Sequence, residues 1–313
     1  ADHAGALAGG VLRVETRAVA PAVRDATAQA EQLNAMLRMP LQISAFDPVT
    51  GETLDITVPT EALAQMVRVS ESGGQPQISL DEAALQAYLQ NWQGDLGAER
   101  YLDEEQGLEN LAQNWQSGAP LQALVRYYPT QYTVQPGDTL LSISYEIGIP
   151  WFLIRDANPG SGTNGLVAGE QITLPAKDAN LPLPVVRGKR IVISISQQRL
   201  WSYENGQLRT QSVISTGIAR SPTMPGVFQV RSHEINAYAS NWDLWMPNFM
   251  GIYEASPGFM NGIHGLPLLS SGVRLWGDVL GSPASYGCII MTLQEAEELY
   301  NWADEGTVVE IQP

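Results

Sequence analysis

Apolar positions change period several times along the chain, and each change predicts a different element. Residues 22–37 follow Pro21 and place apolar side chains at Val23, Ala26, Ala30, Leu33 and Leu37, a helical repeat with proline in its first turn. Residues 41–46 and 54–58 alternate apolar with polar side chains. The intervening Asp47-Pro48-Val49-Thr50-Gly51 has turn chemistry, so the pair reads as a hairpin. Short helices are predicted over 60–67, with Thr60 as its cap, and over 81–92 and 104–115. Together with an Ala/Gly-rich start at 1–10 that reads as a flexible tail, these elements predict a small α+β domain over 1–130.

A tighter pattern follows. Strand residues from Tyr132 lead into the turn Pro136-Gly137-Asp138. Helical stretches at 141–147 and 150–157 come next, then Asn158-Pro159 and a strand within 166–175. Asp138 or Thr139 is placed to cap the first helix. Residues 178–187, with Pro182 and Pro184, read as a short extended linker. Beyond it, strands are predicted over 190–196, 210–215 and 227–232, with Asn205-Gly206 as a hairpin turn and one late helix over 293–303. Mostly short strands with a single helix predict a β-rich sandwich over 188–313.

Composition narrows the class. The 313 residues are 44% hydrophobic and 8% aromatic, which suits two or three globular domains rather than a disordered chain. A formal charge of −16, with acidity concentrated at the N-terminal end, argues against nucleic acid as partner, since no basic stripe is present to neutralise phosphates. No run of apolar residues is long enough to cross a membrane as a helix, and no export signal precedes Ala1.

Candidate chemistry sits in two short stretches, Gly262-Ile263-His264-Gly265 and Ser285-Tyr286-Gly287-Cys288-Ile289-Ile290. Cys288 is the only cysteine and His264 is one of three histidines. A thiol becomes a nucleophile by losing its proton, and imidazole is the usual acceptor. Flanking glycines let backbone N–H groups approach a developing oxyanion. No spacing of His, Cys, Asp or Glu suggests a metal, and no cofactor is expected. A lone cysteine is otherwise most often a small buried hydrophobe.

The two stretches resemble the signature of the L,D-transpeptidase catalytic domain, with Tyr286 in place of a second histidine, a longer spacer, and Ile290 where a polar residue is usual. Further landmarks, Gln198-Arg199-Leu200, Asn205-Gly206, Ser215-Thr216-Gly217 and Thr223-Met224-Pro225-Gly226, extend this likeness over 188–313. Residues 131–177 resemble the LysM module, a βααβ unit, and residues 1–130 faintly resemble the peptidoglycan-binding-like domain that precedes some transpeptidases. The resemblance implies a multidomain, extracytoplasmic protein whose export signal or anchor is not in this chain. Its partners would be peptidoglycan stem peptides and glycan strands.

The same resemblance implies that Cys288 attacks a tetrapeptide stem and releases D-alanine. His264 would act as base, oriented by the Gly265 carbonyl. The N–H groups of Tyr286, Gly287 and Cys288 would bind the oxyanion, and Ser285 would hold the turn or the thiolate. An amine acceptor then resolves the thioester, and carbapenems would acylate the same thiol. Arg274 is a candidate for a stem carboxylate, and Trp245, Trp276 and Trp242 for stacking on sugars. Gly137, Asp138, Thr139, Leu140 and Asn158 are the candidate glycan contacts; Asp138 and Asn158 equally suit local caps. Two alternatives stand beside the transpeptidase: a catalytically impaired wall-binding scaffold, and a carboxypeptidase using water as acceptor.

Overall fold

The structure is a computed structural model describing residues 25–38, 40–73, 75–92, 96–103, 115, 120–161, 165–275 and 277–313. The chain forms two compact units. One comprises residues 1–43, 57–88 and 108–121, and the other 44–56, 89–107 and 122–313. Helix α1 (Thr27–Met36) buries no side chain, so the described part of the apolar repeat read over 22–37 forms a helix without a packed face. Strands β1 (Leu41–Phe46) and β2 (Thr53–Val58) are the expected neighbours. Their turn is tied by the buried Asp47, whose Oδ1 accepts from the N–H of Val49 and Thr50.

Helix α2 (Thr60–Met66) starts after Pro59 with no side-chain cap, so Thr60 is a first-turn residue and not the cap expected of it. Two antiparallel strands that periodicity missed follow, β3 (Val67–Ser72) and β4 (Gln75–Leu80). Most of β3 is exposed, so no burial alternation marked it. Helix α3 (Glu82–Asn91) occupies the region predicted over 81–92, with the Asp81 carboxylate accepting from Ala84 N–H. Strands β5 (Arg100–Leu102) and β6 (Leu121–Tyr127) complete a sheet of order β2-β1-β6-β5. The tail at 1–10, Pro21 and nearly all of the helix expected over 104–115 lie outside the described residues.

The LysM-like segment has the expected order. Strand β7 (Thr130–Thr133) pairs with β8 (Gln171–Leu174), and helices α4 (Leu140–Ile147) and α5 (Trp151–Ala157) lie between them in sequence. Thr139, not Asp138, caps α4. Its hydroxyl accepts from Ser142 N–H while the Ser142 hydroxyl accepts from Thr139 N–H, a reciprocal capping box. Ile143, Ile154, Ile172 and Leu174 form its core.

The linker read over 178–187 is docked rather than free. Leu181 is buried, and Leu183 exchanges both backbone hydrogen bonds with the Gln229 side-chain amide. Strands β9 (Lys189–Ser194), β10 (Arg199–Glu204) and β11 (Gln207–Val213) then build one sheet with β12 (Gly226–Gln229) and β18 (Val308–Gln312), in the order β11-β10-β9-β18-β12. The turn between β10 and β11 has Asn205 and Gly206 both at positive φ, as the Asn-Gly signal requires. A second sheet orders β13 (Ser232–Ala239), β14 (Leu244–Ser256), β15 (Phe259–Gly265) and β17 (Ile289–Met291), with β16 (Leu268–Leu269) paired to β14. Ile191, Ile193 and Phe228 of the first sheet share one core with Met250, Ile263 and Ile289 of the second. Leu299 of helix α6 (Leu293–Trp302) joins them. This is the mostly-β sandwich that the pattern predicted.

Candidate active site

Parallel pairing of β15 with β17 brings the two chemical stretches together, with Ile263 opposite Ile289 and His264 opposite Ile290. His264 and Cys288 line one small cavity of about 30 Å³, along with Trp242, Phe259, Ser285 and Tyr286. Both are nearly buried, at 2% and 8% exposure, so neither charged form is solvated. Burial drops the His264 pKa to about 4, against a weaker opposing effect of the Gly265 carbonyl. Burial likewise lifts the Cys288 thiol to about 11, against the Gly262 N–H that favours its thiolate. Burial thus works against both charged forms, and so against a thiolate–imidazolium pair.

The imidazole is oriented as the resemblance implies. Nδ1 lies 2.7 Å from the Gly265 carbonyl oxygen, and a carbonyl only accepts, so the proton sits on Nδ1. The Nε2 lone pair is left to take a proton. Phe249 stacks on the ring at 6.1 Å and fixes its plane.

A residue the sequence reading passed over holds the thiol. Asn261, buried on β15, has its Oδ1 3.5 Å from Cys288 Sγ and accepts from the thiol. Its Nδ2 donates to Tyr253 Oη at 3.1 Å, and that hydroxyl also accepts from Met224 N–H. The available signal was a lone polar side chain three residues before His264 in an otherwise apolar, buried strand. Gly287 stands beside it at φ +114, where a Cβ would come within 2.4 Å of Asn261 Nδ2; only glycine fits this position.

The turn carrying Cys288 is pinned by its carbonyls. Ser285 O accepts from Ile218 N–H, Tyr286 O from the Ser221 hydroxyl (3.0 Å), and Gly287 O from the Thr223 hydroxyl (2.9 Å). Ser285 Oγ donates to Cys288 O and accepts from Gly287 N–H, so its one donor is spent within the turn. Of the three amides named as oxyanion donors, that of Gly287 is thus already engaged. The 215–223 segment that supplies these clamps is far from the motif in sequence, which is why the motif does not reveal it.

Tyr286 forms the outer wall. Its ring stacks on Trp242 at 5.8 Å, and the Arg220 guanidinium lies 5.5 Å from its centroid and donates to its hydroxyl at 3.1 Å. Ile290, fully buried, lines the same cavity. Arg274 is elsewhere, exposed and donating to the Leu266 carbonyl, and is not among the cavity-lining residues. Trp245 packs on Tyr238 at 4.6 Å and does not line the cavity. Trp276 lies outside the described residues.

Among the glycan candidates, Asp138 is used by its own turn, accepting from Tyr132 Oη and Gln135 N–H. Asn158 ties α5 to β8 through the Ile154 and Thr173 carbonyls and the Thr173 N–H. Gly137, at φ +93, makes the turn, while Thr139 and Leu140 begin α4 beside an open cavity. No group of three or more potential metal ligands is present among the described residues. Likewise, no described helix is long and apolar enough to cross a membrane.

Comparison with known proteins gives two family matches. Residues 188–311 match the YkuD family, described as the L,D-transpeptidase catalytic domain, and residues 132–175 match the LysM domain. A Bacillus licheniformis protein, YkuD, classed by its name among the L,D-transpeptidases, is 28% identical over 182 residues, 58% of this chain and 98% of its own. YdhD of Bacillus subtilis, named as a sporulation-specific glycosylase, is 49% identical over 45 residues. That match covers 14% of this chain and 11% of its own. A solved mutant of an L,D-transpeptidase from Enterococcus faecium aligns with 91% of this chain and 100% of its own, at 17% identity and a TM-score of 0.41.

Proposed function

From a chain that carries an L,D-transpeptidase catalytic domain over 188–311 and a LysM domain over 132–175, we propose a cell-wall enzyme that forms a thioester between Cys288 and a peptidoglycan tetrapeptide stem and passes it to an amine. One observation carries the reading: an imidazole with Nδ1 protonated and Nε2 free lines the same small cavity as the only thiol.

In this mechanism His264 Nε2 takes the thiol proton as Sγ attacks the carbonyl before the terminal D-alanine. The carbonyl electrons move to oxygen, and the oxyanion is held by the N–H groups of Tyr286 and Cys288, since that of Gly287 serves Ser285. Collapse breaks the amide bond, and the imidazolium returns its proton to the departing amine. A second stem's amine then attacks the thioester, His264 takes the amine proton, and the thiol is restored. The neutral resting pair supports general-base attack over a standing thiolate, which also protects the cysteine from oxidation.

In this reading the stem carboxylate is assigned to Arg220 rather than Arg274, because Arg220 donates to Tyr286, which walls the Cys288 cavity. Among the glycan candidates, Thr139 and Leu140 supply contacts, while Gly137, Asp138 and Asn158 shape the loops. Action outside the cytoplasm follows from the substrate.

The small cavity specifically favours one competing reading. Room for about one water leaves no space for a stem unless the Trp242–Tyr286 wall opens. A wall that never opens would make this a binding scaffold. Intact mass after incubation with a carbapenem decides between them. Wild type should gain one adduct, Cys288→Ala none, and His264→Ala an adduct formed about 10²–10⁴-fold more slowly. Folded wild type with no adduct would favour the scaffold. D-alanine release without cross-linked product would instead indicate water as acceptor.

A further inference from the structure

Beside the active site lies a second cavity of about 620 Å³ whose walls come from two domains. Thr139 and Leu140 of the LysM domain, with Trp151 at the start of α5, form one side. Ala219, Arg220 and Pro222 of the catalytic domain form the other. The sides are fixed to each other. Tyr145 Oη donates to the Thr223 carbonyl at 3.0 Å, and Phe152 stacks on Tyr253 at 6.1 Å. Gly226, at φ +149, admits Pro150 so closely that a Cβ would lie 2.9 Å from its Cδ. The LysM domain is thus docked and not merely tethered.

Arg220 lines this cavity and not the Cys288 cavity, but its guanidinium covers and donates to Tyr286, the wall of the latter. We propose that the groove holds a single glycan strand across both domains, so that a stem peptide leaves the strand at Arg220 and enters the Cys288 site. The inference rests on the transpeptidase and LysM reading given above.

The chemistry of the walls matches such a strand. A β-1,4-linked glycan presents apolar pyranose faces and hydroxyl or acetamido edges. Trp151, Leu140 and Pro222 offer apolar surface, and Thr139 and Arg220 offer hydrogen bonds at its margin. Arg220 is exposed and forms no carboxylate pair among the described residues, leaving its charge for the carboxylates that stems carry. A flexible tether would raise only the local concentration of glycan. A shared groove also orients it, and so makes a residue outside the LysM domain matter for binding.

Calorimetric titration of the full chain with the trimer and hexamer of β-1,4-linked N-acetylglucosamine tests this. Ala219→Trp, which fills the catalytic side, is expected to weaken the hexamer at least fivefold and the trimer less than twofold. An unchanged hexamer affinity, or equal losses for both oligomers, overturns the shared groove. Absence of binding to wild type also overturns it. Carbapenem acylation of the same wild-type sample keeps the two readings apart. A live thiol without oligomer binding fails the groove alone; hexamer binding as expected with an inert thiol fails the transpeptidase alone.

Discussion

At the residue scale, the site is a balance of burial against hydrogen bonding. Burial pushes both Cys288 and His264 toward neutrality, so in the proposed mechanism proton transfer accompanies attack. Acylation needs neutral His264, which protonates only as the pH falls through about 4. The carbapenem acylation rate should therefore rise as pH increases through that value and then stay flat toward about 11, where the thiol itself ionises. A rate that halves near pH 6.5 would sink the argument from burial. Asn261 favours the neutral thiol by accepting its hydrogen. Asn261→Ala should consequently lower the pH midpoint of Cys288 alkylation by roughly half a unit or more. A lower melting temperature with no movement of that midpoint would mean that Asn261 only fills space.

At the scale of elements, the turn carrying Cys288 has no regular hydrogen-bond ladder of its own before β17 begins. Its carbonyls are held instead by the segment between β11 and β12. Thr223 is central, since its hydroxyl accepts from Gly217 N–H and donates to Gly287 O, joining both loops. Thr223→Val keeps the shape and removes both bonds. The expected cost is about 1–3 kcal/mol of stability from stranded buried groups, together with slower acylation by a misaimed turn. Urea unfolding and the acylation rate measure the two effects. Loss of stability at full rate would show that the clamp does not aim the thiol. This layer was invisible in the sequence, because a threonine in a proline-rich loop gives no sign of which distant carbonyl it will meet.

Across the whole molecule, the LysM domain contributes to the catalytic core as well as carrying its own. Trp151 and Phe152 pack against the cluster that contains Tyr253, whose hydroxyl receives the Asn261 amide beside Cys288. LysM docking is thereby linked to the nucleophile through two side chains. Phe152→Ala should destabilise the catalytic domain by about 1–3 kcal/mol, less than for a fully buried phenylalanine. It should also split one calorimetric transition into two. A single transition at unchanged temperature would show that the Phe152 contact does not couple the two domains.

Local patterns were enough to mark the LysM strands and helices, the Asn-Gly hairpin and the Cys288–His264 pair. Each is written in contiguous residues whose spacing obeys a turn, a period or a motif. The weak helix α1 and the exposed β3 escaped or misled the pattern because neither buries a clean face. Sequence also pointed to Arg274 as the cation beside the site, on the ground that it lies between the two motifs in the chain. In the tertiary structure Arg220, on the loop before β12, donates to Tyr286 of the cavity wall, while Arg274 donates to the Leu266 carbonyl. The candidate pair Cys288 and His264 was thus legible in the chain, but its surroundings, its hydrogen-bond partners and the groove beside it were not. Those depend on burial and on contacts between segments more than 25 residues apart, such as Asn261 with Cys288, which no local pattern encodes.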